Sequence, residues 1–316
     1  MSGRIVTVFG ASGFLGRHTV RALAKAGWRI RAACRYPQLA EFLRTAGMVG
    51  QVQPFHADVT NAAEVRTALR GADAVVNLVG TMQGGLTGKR FDAINAGGAG
   101  IVARAAAEAG VGQLVHVGAL GARAESASHY ARSKAAGEQA VRDAFPGATV
   151  IRPSILFGPE DAFFNRLANL VRYVPVVPMI GADSRFQPAF VGDVAAAILA
   201  CLERRDDDGA AFELGGPGVY TMRQLMELVI ATVMRRRLLL PVPSFAARLA
   251  AYPMLLVPGA PITPDQVTLL GEDNVVTPGT DGFGALGIHP ESVEAILPTY
   301  LWRFRRTGQF ETAAHT

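Results

Sequence analysis

Short runs rich in β-branched residues alternate with stretches of helical spacing over the first half of the chain. Runs at 4–9 (Ile5-Val6-Thr7-Val8-Phe9), 29–34, 52–56, 73–79, 113–117 and 148–152 predict strands. Between them Leu15–Ala26, Gln38–Ala46, Ala62–Leu69, Phe91–Ala109 and Ala127–Ala144 repeat apolar residues at the spacing of one helix face. Such alternation predicts an α/β fold: a doubly wound parallel sheet with right-handed crossovers, helices on both faces, and ligands at the carboxyl ends of the strands. After Pro153 the rhythm changes. Helical stretches near 163–173, 191–204, 221–234 and 290–306 sit among Pro- and Gly-rich connections. The expected organisation is a first domain over 1–155 and a smaller mixed C-terminal lobe over 156–316, interleaved with the first.

Composition narrows the classes. Half of the 316 residues are apolar, so a disordered chain is excluded. The excess of 31 Lys and Arg over 26 acidic residues is spread along the chain without a basic block, so no nucleic-acid partner is expected. Two cysteines, Cys34 and Cys201, are too few for a disulfide framework, and the six His lack ligand spacing, so no metal is expected. Ile5–Phe9 already reads as a strand, which leaves no room for a secretory leader. The greasiest stretch, Leu238 to Pro261, is broken by five prolines and Arg248, which argues against a membrane span. The expected location is cytoplasmic.

The strongest chemical signal is Gly10-Ala11-Ser12-Gly13-Phe14-Leu15-Gly16, directly after a strand and opening a helix. Gly10 permits a tight turn, Gly13 lets the backbone approach a pyrophosphate, and Gly16 allows close helix–strand packing, while the helix N-terminus supplies amides. In this context the loop predicts a nucleotide-binding, Rossmann-type unit; the alternative is a turn that needs glycines for geometry alone. The second strand ends in Cys34-Arg35-Tyr36, where an acidic residue would take ribose hydroxyls. A guanidinium matches a phosphate bidentately, so Arg35, helped by Arg17, points to a 2′-phosphate and to NADP(H) in preference to NAD(H). The alternative is a solvent-facing arginine. Asp58 closes the third strand, where it accepts from an adenine amino group or serves as a turn residue. Tyr130 and Lys134 lie four apart on a helix, so phenol and ammonium share a face, with Tyr130 the candidate general acid/base and Lys134 a donor to the nicotinamide ribose. The alternative is a surface pair.

Together with Asp58-Val59, Asn77-Leu78-Val79-Gly80, Asn95, Arg152-Pro153-Ser154, Phe157-Gly158-Pro159 and Val191-Gly192-Asp193-Val194, these motifs resemble the extended and atypical short-chain dehydrogenases/reductases, the NAD-dependent epimerase/dehydratase group. The resemblance implies a cofactor site built from Gly10, Ser12, Gly13, Phe14, Leu15, Gly16, Arg17, Arg35, Asp58, Val59, Leu78, Val79, Gly80, Tyr130, Lys134, Pro153 and Ile155. It also implies that Asn95 braces the sheet from its helix. One departure matters. Members that turn over substrate carry a Ser or Thr hydroxyl just after the fifth strand, yet Val117-Gly118-Ala119-Leu120-Gly121 has none. Loss of a comparable oxyanion donor is worth ~2.7–4 kcal/mol. Ser126 and Ser128 are the alternative donors.

A narrower resemblance, through Tyr130–Glu138, Val141–Pro146, Arg152–Asp161, Phe186–Asp193, Ile262–Gln266 and Tyr300–Arg303, is to the nucleotide-binding accessory subunits of respiratory complex I (NADH:ubiquinone oxidoreductase) and their bacterial relatives. It implies a tightly held, structural NADPH, complex I subunits as partners, and little or no catalysis. Arg235-Arg236-Arg237 followed by Leu238 to Phe245, and then Leu249, Tyr252, Leu255 and Leu256, juxtaposes cations with apolar residues. Residues 235–261 are thus a candidate for peripheral contact with the cytoplasmic face of the inner membrane, arginines toward anionic headgroups; the alternative is that they pack the second lobe. Two further functions stay open: an active NADP-dependent reductase, epimerase or dehydratase on a hydrophobic small molecule, and an NADPH-sensing regulator.

Overall fold

The computed structural model describes residues 3–85, 87–204, 209–255 and 262–310. Contacts divide the chain into two compact units: Met1–Pro153 with Gly192–Leu214 and Pro278–Ile288, and Ser154–Val191 with Gly215–Thr277 and His289–Thr316. The described strands, in chain order, are β1 (Ile5–Phe9), β2 (Arg29–Cys34), β3 (Val52–His56), β4 (Ala74–Asn77), β5 (Gln113–Val117), β6 (Thr149–Pro153), β7 (Leu156–Phe157), β8 (Val176–Ile180), β9 (Arg185–Phe186), β10 (Ala189–Phe190), β11 (Ala211–Leu214), β12 (Tyr220–Thr221) and β13 (Leu238–Val242). The helices are α1 (Phe14–Lys25), α2 (Ala62–Leu69), α3 (Lys89–Phe91), α4 (Ala99–Glu108), α5 (His129–Ala144), α6 (Phe163–Tyr173), α7 (Val191–Glu203), α8 (Met222–Thr232), α9 (Ser244–Met254), α10 (Pro264–Leu270) and α11 (Val293–Leu301).

In the first unit seven parallel strands run in the order β11-β6-β5-β4-β1-β2-β3. The order reverses direction beside β1, which is where a doubly wound sheet opens its ligand crevice. Both faces are covered. Thr7 Oγ1 donates to the Ala68 carbonyl of α2 at 2.9 Å, and Phe9, on the same face by the two-residue period, joins a core with Val75, Leu114, Val65 of α2, Val102 of α4 and Val141 of α5. Val6 and Val8 point the other way and are also fully buried. That two-sided burial is why β1 reads as a near-continuous apolar run.

Six strands are expected from the sequence and seven are found. Ala211-Phe212-Glu213-Leu214 escapes because it is short and carries an acid; Glu213 faces Arg152 at 3.5 Å across the β6–β11 pair. The helix expected at 38–46 is instead two 3₁₀ turns, Pro37–Leu39 and Glu41–Ala46, a form used in short pieces that Pro37 starts and Gly47 ends. The helix expected over 91–109 runs from Lys89 to Glu108, but Asp92–Gly98 is a π-helical turn. Gly98 has no side chain there, and a Cβ would lie 2.8 Å from Val59 Cγ2. β4 stops at Asn77, short of the expected 79, because Asn77 Oδ1 accepts from the Val79 N–H at 3.1 Å and turns the chain.

The second unit holds three two-stranded pairs: β7 with β10 and β8 with β13, both parallel, and β9 with β12, antiparallel. Phe157, Phe164, Phe186, Met179, Leu225 and Leu297 form its core. α6 and α8 lie close to the expected ranges, while α11 with the 3₁₀ turn Trp302–Phe304 covers most of the last. β13, α9 and α10 are not anticipated, since prolines 241, 243, 253 and 264 hide their periodicity. Among the described residues no helix is long and apolar enough to cross a membrane.

Candidate functional site

The carboxyl ends of β1 to β6 carry the residues singled out in the sequence. Gly10 follows β1 with φ +81°, a left-handed conformation that glycine adopts without strain. A Cβ on Gly10 would meet the Leu78 carbonyl carbon and Val79 N at 3.3 Å, so the loop after β4 closes directly on the glycine loop. Gly13 precedes α1 as its N-cap with no side-chain cap, and is exposed. The first-turn amides of α1 therefore face outward as an anion site, at the helix end with positive partial charge. At Gly16 a Cβ would lie 2.2 Å from Gly10 O and 2.6 Å from Ala11 O, so only glycine lets the helix sit this close. Ser12 is half-buried, Leu15 is buried, and Phe14 stacks edge-on to His18 with ring centroids 5.7 Å apart. Arg17 reaches back to the Ser12 carbonyl at 3.4 Å and lies over the Phe42 ring at 5.1 Å.

Arg35 follows β2 and is exposed; its guanidinium forms no hydrogen bond among the described residues and lies 6.0 Å from the Tyr36 ring. Asp58 faces it after β3. Burial pushes the Asp58 carboxyl up, but hydrogen bonds from Thr60 N–H (2.9 Å) and Oγ1 (2.7 Å), with the charges of Arg35 and His56, hold its pKa below the usual carboxylate value. Asp58 is thus a turn residue that stays ionised beside Arg35. Val59 is buried against Gly98, so its side chain belongs to the core.

After β4 the loop Leu78-Val79-Gly80 is fastened to α5 through Asn95. Asn95 Oδ1 accepts from Thr81 N at 2.9 Å, and its Nδ2 donates to Thr81 O (3.2 Å) and Ser133 Oγ (3.0 Å); Ser133 Oγ in turn donates to Tyr130 O at 2.8 Å. Asn95 sits in the π-helical turn, a feature often found at functional sites. Gly80 is exposed, and a Cβ on it would be 3.4 Å from Lys134 Nζ. The structure thereby brings Gly80 and Lys134 together. Lys134 is 5% exposed and donates to Val117 O at 2.8 Å; desolvation lowers its pKa from 10.5 to about 8, against the charge of Glu138. Tyr130, one turn earlier on α5, is half-buried with its ring 6.0 Å from Phe91. Pro153 ends β6 and accepts from Leu120 N–H at 3.0 Å, while Ile155 belongs to the second unit.

The stretch after β5 has room for the missing hydroxyl. A Cβ on Gly118 would meet Arg152 Cγ and Glu138 Oε2 at 3.6 Å, ordinary contact distance. The alternative donors, Ser128 and Ser126, already take part in local backbone bonds as acceptors. Both are buried: Ser128 Oγ caps α5 by accepting from Ala131 N–H (3.2 Å), and Ser126 Oγ accepts from Ser128 N–H (3.1 Å).

Behind the site lie two groups of charged or polar partners, Glu138 with Arg142 and Arg152, and Asn77 with His116. Arg152 donates to Glu138 through Nε (2.9 Å) and Nη2 (2.6 Å), and Arg142 adds a third bond at 3.2 Å. Burial raises the Glu138 carboxyl, and these guanidiniums more than reverse it. Asn77 Nδ2 lies 3.3 Å from His116 Nδ1, and since Asn77 Oδ1 already accepts from Val79, the amide donates and His116 carries its proton on Nε2. Burial, with the Lys134 and Arg142 charges, pushes His116 down to about 3, so it is neutral. The one available sequence signal was a polar residue, His116, inside an apolar strand.

In the second unit, Arg235 and Arg237 point to backbone carbonyls, not outward. Arg237 Nε donates to Val171 O at 2.6 Å and Nη2 to Arg172 O at 3.3 Å, and Arg235 Nη2 to Phe304 O at 3.4 Å; only Arg236 of the three is exposed. Leu238, Leu240, Phe245, Leu249 and Tyr252 are exposed, and Leu256 and the rest of 256–261 lie outside the described residues.

Residues 6–215 match the NAD dependent epimerase/dehydratase family. The mitochondrial NADH dehydrogenase (ubiquinone) 1 alpha subcomplex subunit 9 of Arabidopsis thaliana is 32% identical over 323 residues, covering 98% of this chain and 80% of that protein. A ceramide reductase of Caulobacter vibrioides is 37% identical over 196 residues, 62% of this chain and 60% of the reductase. Among solved structures, the NADPH-dependent quinone oxidoreductase QOR2 of Escherichia coli, complexed with NADPH, matches with a TM-score of 0.74 at 20% identity, over 92% of this chain and 97% of that one. With its glycine loop on an uncapped helix N-terminus, and a family match over more than half its length, this chain belongs to the NAD-dependent epimerase/dehydratase family of Rossmann-type nucleotide-binding proteins.

Proposed function

We propose that the chain is an NADP(H)-holding protein of the complex I accessory-subunit group, with the nucleotide structural and turnover weak or absent. The observation that carries this reading is the 32% identity to the plant complex I subunit over 98% of the chain, which extends through both units. The residues fit the nucleotide. Gly10, Ser12, Gly13, Phe14, Leu15, Gly16 and Arg17 would hold the pyrophosphate, Leu78–Gly80 and Pro153–Ile155 would flank the nicotinamide half, and Lys134 would donate to its ribose. The exposed guanidinium of Arg35, without an acid at the end of β2, supports NADP(H) over NAD(H). A bound nicotinamide supplies hydride chemistry. Tyr130 would be the proton-moving group beside it, but with glycine at 118 and the Ser126 and Ser128 hydroxyls buried and each accepting a backbone N–H, a developing oxyanion would be less stabilised than with a hydroxyl at 118. A ligand that binds the folded state alone stabilises it by mass action, which needs no turnover.

Peripheral contact with the inner membrane through the described part of 235–261 is supported by the exposed Leu238, Leu240, Phe245, Leu249 and Tyr252 and by the absence of any acid from residue 228 to 264. The test of the leading reading is a native gel of mildly solubilised membranes from the source cell, blotted for this chain beside an in-gel NADH dehydrogenase stain. Co-migration is expected, and migration as a free species would overturn complex I association.

A second reading, an active NADP-dependent reductase on a hydrophobic substrate, is favoured by the 37% identity to the ceramide reductase. Turnover of a long-chain carbonyl compound, abolished by Tyr130→Phe, would favour it over the first.

A further inference from the structure

The second unit holds a cation-lined cavity that shares no residue with the proposed nucleotide site. Its volume is about 450 Å³, and it opens to solvent. Arg166, Asn169 and Arg172 line it from α6, spaced i, i+3 and i+6 and so close to one face of the helix; Arg303 comes from the turn that follows α11. The only acid in the lining is Asp161. It is 3% exposed and faces inward, accepting from Tyr300 OH (2.6 Å), Gly158 N–H (3.1 Å) and Asn165 N–H (3.1 Å). Those bonds hold its carboxylate to Tyr300 and to the backbone at Gly158 and Asn165, against three arginines in the same lining.

The cations are also held in place. Arg303 Nη2 donates to Pro159 O at 3.0 Å and to Asn165 Oδ1, which fixes the plane of its guanidinium and leaves Nη1 free of both bonds. Arg237, bonded to the last carbonyls of α6, adds a further positive charge next to Arg172. Guanidiniums brought together from two elements repel one another unless an anion lies between them, and their planar donor forks match phosphoryl oxygens in geometry as well as charge. Tyr173 and Trp302, both exposed, adjoin Arg172 and Arg303 in sequence and offer apolar surface beside the cations.

We propose that this cavity is a binding site for a phosphoryl group, held by Arg166, Arg172 and Arg303, either free as a phosphomonoester or borne by a lipid headgroup.

The experiment uses the full chain saturated with NADPH. Calorimetric titration with glycerol phosphate reads the free group, and co-flotation with phosphatidylcholine vesicles, with and without phosphatidic acid, reads the lipid. Arg166→Glu and Arg172→Glu are the variants, because neither side chain donates a hydrogen bond within the fold among the described residues; Arg166→Gln and Arg172→Gln replace them if a reversed charge prevents folding. Retained NADPH and an unchanged thermal midpoint show that the first unit is intact. Binding of glycerol phosphate, weakened roughly tenfold or more by each variant, supports the site with a free phosphate. Flotation only with phosphatidic acid, lost in the variants, supports it with a lipid. Binding by neither probe, or binding that both variants leave unchanged, overturns the proposal; in the first case an acidic partner protein becomes the next occupant to test.

Discussion

Lys134 offers a pH test of the buried end of the site. Its ammonium is 5% exposed and desolvation lowers its pKa from 10.5 to about 8. A base with a lower pKa in the folded than in the unfolded state leaves the unfolded chain holding more protons between the two values. Stability therefore rises as pH climbs from about 8 toward 10.5, and this contribution is lost again as pH falls to 8 and below. Between pH 7 and pH 9 that shift makes the nucleotide-free protein more stable by about 1 kcal/mol. Urea unfolding at the two pH values measures it. Lys134→Met keeps the length of the side chain and does not titrate, so contributions shared with the native protein, such as the raised Cys34 thiol, cancel in the comparison. The native chain should gain about 1 kcal/mol more than the variant. Saturating NADPH should shrink the difference, because a hydrogen-bond acceptor and phosphate charge near the ammonium favour its protonated form. An equal pH dependence in native protein and variant would refute the desolvated lysine, and with it the closed packing of α5 on the end of β5.

Four further outcomes are expected. Gly16→Ala forces a Cβ within 2.2 Å of a backbone oxygen, so it should cost ~1–3 kcal/mol in thermal unfolding and lower NADPH affinity in a fluorescence titration. Arg35→Ala should weaken NADPH roughly 10- to 100-fold, the worth of a charged hydrogen bond, and barely change NADH; equal losses would sink the 2′-phosphate assignment. Gly118→Ser fits without strain and should leave urea stability within about 0.5 kcal/mol of native and carbonyl reduction at the native level; a turnover gain of ~100-fold would show that one hydroxyl was all the site lacked and that the structural-nucleotide reading is wrong. Tyr300→Phe removes a 2.6 Å bond to the buried Asp161 and should cost ~1–3 kcal/mol, read by loss of the urea midpoint.

Legibility followed the length scale of the interaction. β1, β2 and the glycine loop could be read because strand period, turn glycines and helix spacing are all local. β11 could not, since a four-residue strand with Glu213 in it makes sense only across from Arg152, distant in sequence. The close approach of Val59 to Gly98, at the end of the π-helical turn Asp92–Gly98, is likewise made through space between residues distant in sequence. Arg235-Arg236-Arg237 read as a cationic face, yet two of the three cap carbonyls on other elements, because local composition says nothing about which donors find a backbone partner.

The same reasoning decides how much the Tyr130–Lys134 pair says about catalysis. Lys134 is tied into the fold whether or not a reaction occurs, since its ammonium donates to the Val117 carbonyl and sits beside Gly80 despite the desolvation its burial imposes. Ser133, between the two, ties Asn95 to the Tyr130 backbone, so the whole turn is bound to the loop after β4 that carries Gly80. A residue at 118 has no such duty. Its Cβ would meet Arg152, Glu138 and the Ile151 carbonyl at ordinary contact distance, and Arg152 and Glu138 already satisfy each other, so loss of a hydroxyl there costs the fold little. Chemistry that is no longer needed would disappear first at such a position, while the parts that also hold the nucleotide persist. The pattern in this chain, a glycine loop and a Tyr130–Lys134 turn beside a glycine at 118, is the pattern that the proposed structural nucleotide would leave.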